Sequence, residues 1–486
     1  MKIGNSGEKR AMHGGMWNMG TISVLLLGVV AASVPLMTDY ILQGSDLQGT
    51  LSRIEAVSHG IGRAFPIRIT PWASADYGYA AASFQADLFY VIPAVCKACG
   101  MGLSGAYKLT LFLANLATAF VAFGCLEKCL RKRETAVVGS LLFVWCPYRL
   151  HEMYVNGSLG DVMAWIFIPI VISALIGIYT MDREAEAYGK LWISLACGFS
   201  LLALSSTSVL VVTAGMSMML FLFMGRASLH RKTLLAFGKA TGVFLLINAW
   251  FLIPMVLRLR DDTNVGITIP GDFRSLGVFP IQYLRIFLWG GDGRNFGGNG
   301  MAGAAALCPG IAVVLPVIFY IWTLYEGGYR HKDAWNCLGK RLLWVCMVLV
   351  FLSSNIFPWN LFQNRNLLFS ILLSLVQNPA KWGIPVCALM IAIACLTLEG
   401  AFFRETEERY RMAVLTVGGI SFATAQFLLG NILRTRDYVR PEELQELLLP
   451  LHVLDQESVV WRCSEFISLA ALCAVVAMAV RRRYKG

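Results

Sequence analysis

Long apolar runs constrain the fold of this chain more than any other feature of its sequence. A helix needs about 20 mainly apolar residues to cross the hydrocarbon core of a bilayer, which is about 30 Å thick. Such runs recur along all 486 residues, and the chain is 57% hydrophobic with a mean hydropathy of +0.62. The sequence therefore predicts an all-α, polytopic bundle of transmembrane helices.

The apolar runs predict about twelve membrane-spanning helices. Their ranges are residues 17–38, 106–126, 135–148, 161–180, 191–204, 208–225, 234–257, 304–325, 342–355, 383–399, 412–430 and 465–480. The run at residues 84–99 carries Asp87 and Lys97, which favours a helix at the membrane interface or a re-entrant one. We expect residues 1–486 to form one integral membrane domain, with an N-terminal helical core at 17–256 and C-terminal helices at 257–486.

The distribution of charge predicts the orientation of the bundle. The net charge of +11 arises from short Lys and Arg clusters between apolar runs, which is typical of cytoplasmic loops and argues against nucleic acid as a partner. With the N-terminus inside, an even number of crossings puts the C-terminus inside as well. The predicted localisation is thus the cell membrane, with the lipid bilayer as a partner. The long loops, which face outside in this orientation, are residues 39–104, 149–160, 258–303, 357–382 and 431–464.

The first of these loops combines carboxylates with cationic side chains. Carboxylates can act as general bases or hold a divalent cation, and arginine can bind a phosphate through paired hydrogen bonds. The spacing also fits a solvated amphipathic helix on the membrane surface, and spacing alone favours that simpler interpretation. The candidate residues in this loop are Asp46, Arg53, Glu55, His59 and Arg68.

Two further groups of polar residues lie at predicted helix mouths. Arg149, His151, Glu152 and Asp161 are costly near membrane depth unless they have partners or line a wet cavity, although they would also fit the headgroup level. Lys381, after Pro379 and Ala380, could reach a phosphate, but interfacial anchoring is the commoner role of a lysine there. We interpret residues 205–208, Ser-Ser-Thr-Ser, as a short outer turn.

Several of these segments resemble a family of bacterial polytopic membrane proteins, the YfhO-like proteins often labelled 6-pyruvoyl-tetrahydropterin synthase-related, whose architecture is similar to that of GT-C membrane glycosyltransferases. The resemblance is strongest over roughly the first third of the chain. The matching stretches are Asp46-Leu47, Arg53-Ile54-Glu55, Phe65-Pro66-Ile67-Arg68-Ile69, Tyr77-Gly78-Tyr79, Asp87-Leu88, Ala106-Tyr107-Lys108, residues 115–119, Pro147-Tyr148-Arg149, Phe357-Pro358-Trp359 and residues 377–381.

The resemblance implies a transferase that moves a sugar from a polyprenyl-phosphate donor to a cell-envelope acceptor on the extracytoplasmic side. It implies a catalytic role for Asp46, which would take a proton from the acceptor, and for Glu55. It also implies a divalent cation, Mg or Mn, held by Glu152 and Asp161. The side chains implied to bind the substrate are Arg53, His59, Arg68, Arg149, His151 and Lys381.

The chain departs from its relatives around the predicted base. Relatives carry a histidine where this chain has Ser45, a Phe-His pair where it has Gly49 and Thr50, and a Pro-Trp-Arg where it has Pro379-Ala380-Lys381. These differences leave two alternatives to the transferase open. One is a noncatalytic envelope scaffold of the same architecture, and the other is a transporter or flippase of lipid-linked saccharide.

Overall fold

The protein folds into an all-α bundle of membrane helices. The computed structural model describes residues 18–61, 86, 88–130, 132–261, 273–284, 307–325, 334–362, 367–402, 407–435 and 438–440. The α-helices within these residues are α1 (Met19–Ala32), α2 (Leu47–Gly60), α3 (Val91–Ala98), α4 (Leu103–Cys129), α5 (Arg133–Val144), α6 (Pro147–His151), α7 (Leu159–Thr180), α8 (Leu191–Ala203), α9 (Thr207–Met224), α10 (Arg231–Ile247), α11 (Ala249–Asp261), α12 (Ile311–Tyr325), α13 (Ala334–Ser353), α14 (Leu367–Val376), α15 (Gly383–Phe402) and α16 (Glu407–Thr435).

The helices follow the apolar runs of the sequence. Among the described residues, α4, α7, α9, α15 and α16 are long and apolar enough to cross a bilayer. The pair α10 and α11 is a sixth candidate, bent by 75° between its two helices. The predicted all-α membrane fold is confirmed. The total of about twelve spans stays a prediction, since the other described helices do not meet the same criteria of length and apolar composition and residues 465–480 lie outside the described part.

Helices α7 and α15 form the interior of the bundle. In each of them 83% of the most apolar window is buried inside the protein, compared with 28% for α16, whose surface is largely left to lipid. Polar side chains at the first turns of α7 and α15 are therefore surrounded by protein.

A short two-stranded ribbon marks one end of the bundle. Strand β1 (Ile41–Leu42) pairs antiparallel with β2 (Tyr438–Val439), with Ile41 opposite Val439. The rings of Tyr40 and Tyr438 add a contact with centroids 4.6 Å apart. We call this the ribbon end. Helices α2 and α3 of the predicted first loop lie here, as do the starts of α7, α9 and α15.

The opposite end of the bundle is held by ion pairs, and we call it the basic end. Lys132, which precedes α5, donates from its backbone N–H to Glu399 of α15 at 2.8 Å and from Nζ to Glu407 of α16 at 2.9 Å. Lys232 of α10 bonds Glu184 at 2.5 Å. These two lysines thus lie at the same end, and the orientation of the bundle in the membrane stays a prediction.

Candidate functional site

Lys381 stands at the ribbon end on a rigid turn before α15. The turn is a 3-10 helix, Pro379–Trp382, which Asn378 caps by accepting the N–H of Ala380 at 2.8 Å. Tyr148 fixes the same turn by donating its hydroxyl to the Ala380 carbonyl at 2.9 Å. These two hydrogen bonds therefore fix the backbone that carries Lys381, independently of the contacts of its side chain.

The Lys381 ammonium lies between two buried carboxylates. It bonds Oδ2 of Asp161, in the first turn of α7, and Oε1 of Glu152 at 3.3 Å. Glu152 belongs to a π-helical turn, Glu152–Asn156, which follows α6. The exposed fractions of Glu152, Asp161 and Lys381 are only 1%, 6% and 9%. Charges taken this far from water need opposite charges and hydrogen bonds, and Lys381 supplies both to each of the two carboxylates. We call these three residues the Lys381 cluster.

The remaining carboxylate oxygens of the cluster also have donors. Ser206, the N-cap of α9, donates its hydroxyl to Oδ1 of Asp161 at 2.6 Å. Asn156 donates its side-chain amide to Oε2 of Glu152 at 2.9 Å. All four carboxylate oxygens thus accept a hydrogen bond. The position of Asp161 in the first turn of α7 adds the favourable end of a helix dipole.

Asp46 faces the same cluster from the first loop. Its N–H donates to the Asn156 carbonyl at 2.8 Å, and Thr50 donates its hydroxyl to the Gly157 carbonyl at 2.9 Å, so the start of α2 is fixed to the turn that follows Glu152. Gly157 has φ +73°, a left-handed conformation that glycine adopts without strain. Asp46 occupies the N-cap position of α2, yet its side chain makes no capping bond there. Its carboxylate is exposed and is therefore available to a ligand.

The charges of the cluster act on Asp46 and Glu152. Desolvation by the surrounding protein raises the pKa of Asp46 although the residue is exposed, while Lys381 lowers this pKa and Asp161 raises it. Burial likewise raises the pKa of Glu152, against the lowering effect of Lys381. With Asp46 included, three carboxylates surround the single ammonium of Lys381, so the group as a whole has a net negative charge when all are ionised.

Other candidates from the first loop form a separate cluster. Glu55 lies about 13 Å along α2 from Asp46, at 1.5 Å per residue. Its Oε1 bonds Lys97 of α3 and also lies 3.1 Å from Nε2 of His59. The guanidinium of Arg53 lies over the Tyr90 ring, 4.7 Å from its centroid. The predicted catalytic Glu55 is thus paired away from the Lys381 cluster. Its predicted role, and those of Arg53 and His59, stay predictions.

Arg149 is directed into the bundle. It is fully buried, and it donates to the side chains of Asn115 at 2.6 Å and Thr118 at 3.1 Å, both on α4. These contacts join α6 to α4 and stabilise an arginine at membrane depth. His151 is also buried on α6, with 6% exposed. Arg68 lies outside the described residues.

The geometry around Glu152 and Asp161 does not fit a divalent cation. The Lys381 ammonium takes the position between the two carboxylates, and every oxygen of the pair already accepts a hydrogen bond. Within the described residues, moreover, no group of three or more His, Cys, Asp or Glu side chains is placed to hold a metal ion. The predicted Mg or Mn ligands are therefore the counter-charges of a lysine.

Two polar partners in this site were not identified from the sequence. The sequence pattern predicts only a short outer turn at Ser206 and indicates no partner for Asn156. A signal for a helix start was present, since the stretch Ser205–Ser208 precedes the apolar run that begins at Val209, and serine and threonine are common N-cap residues. Because Ser206 caps the start of α9, its side chain lies near the other helix starts at the ribbon end.

Comparison with known proteins finds similarity in structure only. No family model matches the sequence, and no curated protein is similar to it in sequence. The apo oligosaccharyltransferase of Archaeoglobus fulgidus aligns at 12% identity with a TM-score of 0.47, over 84% of this chain and 56% of that one. ArnT of Cupriavidus metallidurans, bound to undecaprenyl phosphate, aligns at 12% identity with a TM-score of 0.45, over 93% and 77%. The mycobacterial arabinofuranosyltransferase AftD aligns at 11% identity with a TM-score of 0.47, over 84% and 28%.

These similarities concern shape alone. The chain spans about half the length of the oligosaccharyltransferase, 56%, and identities of 11–12% carry no residue correspondence. We therefore base the functional proposal on the side chains at the ribbon end.

Proposed function

We propose that this protein is a GT-C-like membrane glycosyltransferase that moves a sugar from a polyprenyl-phosphate donor to a cell-envelope acceptor. The observation that carries the proposal is the convergence of Asp46 with the Lys381 cluster at one end of the bundle. These residues come from distant parts of the chain, and the bundle brings a solvent-accessible carboxylate to a fixed ammonium. A general base beside a cation is the arrangement that acid–base transfer to a hydroxyl needs.

In the proposed reaction, Asp46 takes the proton of the acceptor hydroxyl. The acceptor oxygen then forms a bond to the anomeric carbon of the sugar, and the bond from that carbon to the phosphate oxygen breaks. The electron pair leaves with the polyprenyl phosphate. Lys381 has three N–H donors and bonds two carboxylates, so one N–H remains for the departing phosphate. Arg53, His59 and Arg68 are proposed to supply further positive charge to the donor.

The proposed orientation places the ribbon end outside the cytoplasm and both termini inside. The basic end then faces the cytoplasm, which agrees with the positive-inside rule. Cytosolic nucleotide sugars do not reach an outside site, whereas a lipid-linked donor lies in the membrane beside it. The amphipathic helix α3 and helix α2 would rest at the interface where the lipid phosphate is found.

The proposal is tested by complementing a deletion strain with Asp46→Asn. The amide keeps the shape of the side chain but accepts no proton at neutral pH, so we expect the glycan modification to be lost while the protein is still expressed. Asp39→Asn is the matched control, because it removes an exposed carboxylate of the same loop outside the Lys381 cluster. Mass spectrometry of envelope glycans and of lipid-linked sugars gives the readout.

Three outcomes separate the functional alternatives. Loss of the modification with accumulation of lipid-linked donor outside supports the transferase. A normal glycan profile in Asp46→Asn, when the deletion itself changes the profile, supports the noncatalytic scaffold. Donor retained on the cytoplasmic side in the deletion strain supports a transporter.

A further inference from the structure

We propose that Lys381 is the resident cation of this site, that it takes the place of a divalent metal ion between Glu152 and Asp161, and that its removal opens a site for Mg²⁺ or Mn²⁺. The inference deepens the proposed function because it concerns the same site. It rests on the positions of the cluster residues and on the chemistry of carboxylates.

The first step of the argument is the similarity between this pair and a metal site. Two carboxylates from neighbouring elements, the π-helical turn and α7, converge on one point, and a buried cation stands at that point. Hard divalent cations bind carboxylate oxygens in this way and usually keep several waters. An ammonium instead offers one positive charge and hydrogen bonds, and it needs no inner coordination sphere of oxygen ligands.

The second step is that the lysine cannot leave easily. Its backbone is fixed by the Asn378 cap and by the bond from Tyr148 to the Ala380 carbonyl. A Cβ on the next glycine, Gly383, would lie 2.6 Å from the Tyr283 hydroxyl oxygen, so the start of α15 is closely packed. A lysine side chain anchored here stays between the carboxylates.

The third step compares the two cations directly. Two positive charges in contact repel each other strongly where protein replaces water, and a divalent ion is repelled by the ammonium twice as strongly as a monovalent one. A metal ion between the carboxylates would also have to displace the ammonium from Oδ2 of Asp161 and Oε1 of Glu152. The lysine thus excludes the metal by charge and by occupation of the same oxygens.

The experiment measures Mn²⁺ binding by electron paramagnetic resonance on the full-length protein in lipid nanodiscs. For the natural protein we expect no Mn²⁺ bound at the cluster. Lys381→Met leaves two buried carboxylates without their cation, and we expect it to gain one Mn²⁺ site. Its affinity should exceed that of any weak Mn²⁺ binding to the natural protein by at least about a hundredfold, because the repulsion by the ammonium is removed. Lys190→Met is the matched control, since it removes a lysine from a single exposed carboxylate, Glu186, and gains no such site.

If Lys381→Met fails to fold, Lys381→Gln takes its place, because the amide removes the positive charge but still donates hydrogen bonds to the carboxylates, and we expect it to gain the Mn²⁺ site as well. Lys381→Met combined with Glu152→Gln is the control with one carboxylate fewer, and it should bind no Mn²⁺. The inference is overturned if the natural protein binds Mn²⁺ and Asp161→Asn abolishes that binding, or if folded Lys381→Met or Lys381→Gln gains none. Mn²⁺ binding needs neither sugar donor nor acceptor. Failure of this inference is therefore distinct from failure of the transferase proposal, which the Asp46→Asn glycan profile decides.

Discussion

Replacing Asp161 by asparagine tests whether charge holds the Lys381 cluster together. The carboxylate accepts hydrogen bonds from Lys381 and from Ser206, and asparagine keeps its shape while removing its charge. Loss of one partner of a buried ion pair typically costs about 3–5 kcal/mol. Lys381 keeps its bond to Glu152, and the asparagine oxygen still accepts from Ser206, so we expect the lower end, about 3 kcal/mol.

The assay is unfolding of the purified protein in one detergent, followed by tryptophan fluorescence during an SDS titration. Glu186→Gln is the reference variant because it removes the carboxylate of an ion pair in which the Glu186 side chain is 87% exposed. Exposed pairs of this kind contribute little, so its transition should coincide with that of the natural protein. If Asp161→Asn also unfolds at the same SDS concentration, the buried cluster does not stabilise the fold and the reasoning fails.

Two further predictions concern the same site. Gly383→Ala should destabilise the protein by about 1–3 kcal/mol, since its Cβ would lie 2.6 Å from the Tyr283 hydroxyl oxygen. The SDS titration measures this loss of stability. An unchanged transition would show that the start of α15 can shift to accommodate the methyl group. The acid limb of the proposed transferase activity should lie above the ordinary pKa of an aspartate, 3.8, because burial raises the pKa of Asp46 and only the deprotonated form is a base. Asp161 contributes to that rise, so Asp161→Asn should move the limb to lower pH in a pH–rate profile; a move to higher pH would contradict the assignment.

The helices of this protein could be predicted from its sequence because the apolar runs are long and end at polar or small residues. The predicted span at residues 161–180 appears as α7, Leu159–Thr180, and that at 383–399 appears as α15, Gly383–Phe402. The run at residues 84–99 likewise yields the short helix α3, Val91–Ala98. For the two spans, the bilayer requires backbone hydrogen bonds within the segment, so the local sequence determines the element.

The site could be predicted only in its parts. Asp46, Glu152, Asp161 and Lys381 were each singled out, but not the pairing of Lys381 with Asp161, which lies 220 residues away in the chain. That pairing depends on which helix starts become neighbours, and packing of α7 against α15 decides this. The local sequence pattern also does not predict the partner of Glu55. This partner is Lys97, which the pattern places only on an interfacial helix.

The two-stranded ribbon has a consequence for the biosynthesis of the protein. Ile41 and Leu42 leave the ribosome early, but their partners Val439 and Tyr438 follow roughly 400 residues later. At about 5–20 residues per second, the loop that carries Asp46 would wait on the order of 20–80 s for the strand that fastens it. A nascent chain released before that point has its helices but lacks the finished ribbon end. Activity would therefore first arise in nearly full-length chains, and premature termination would yield inactive membrane protein.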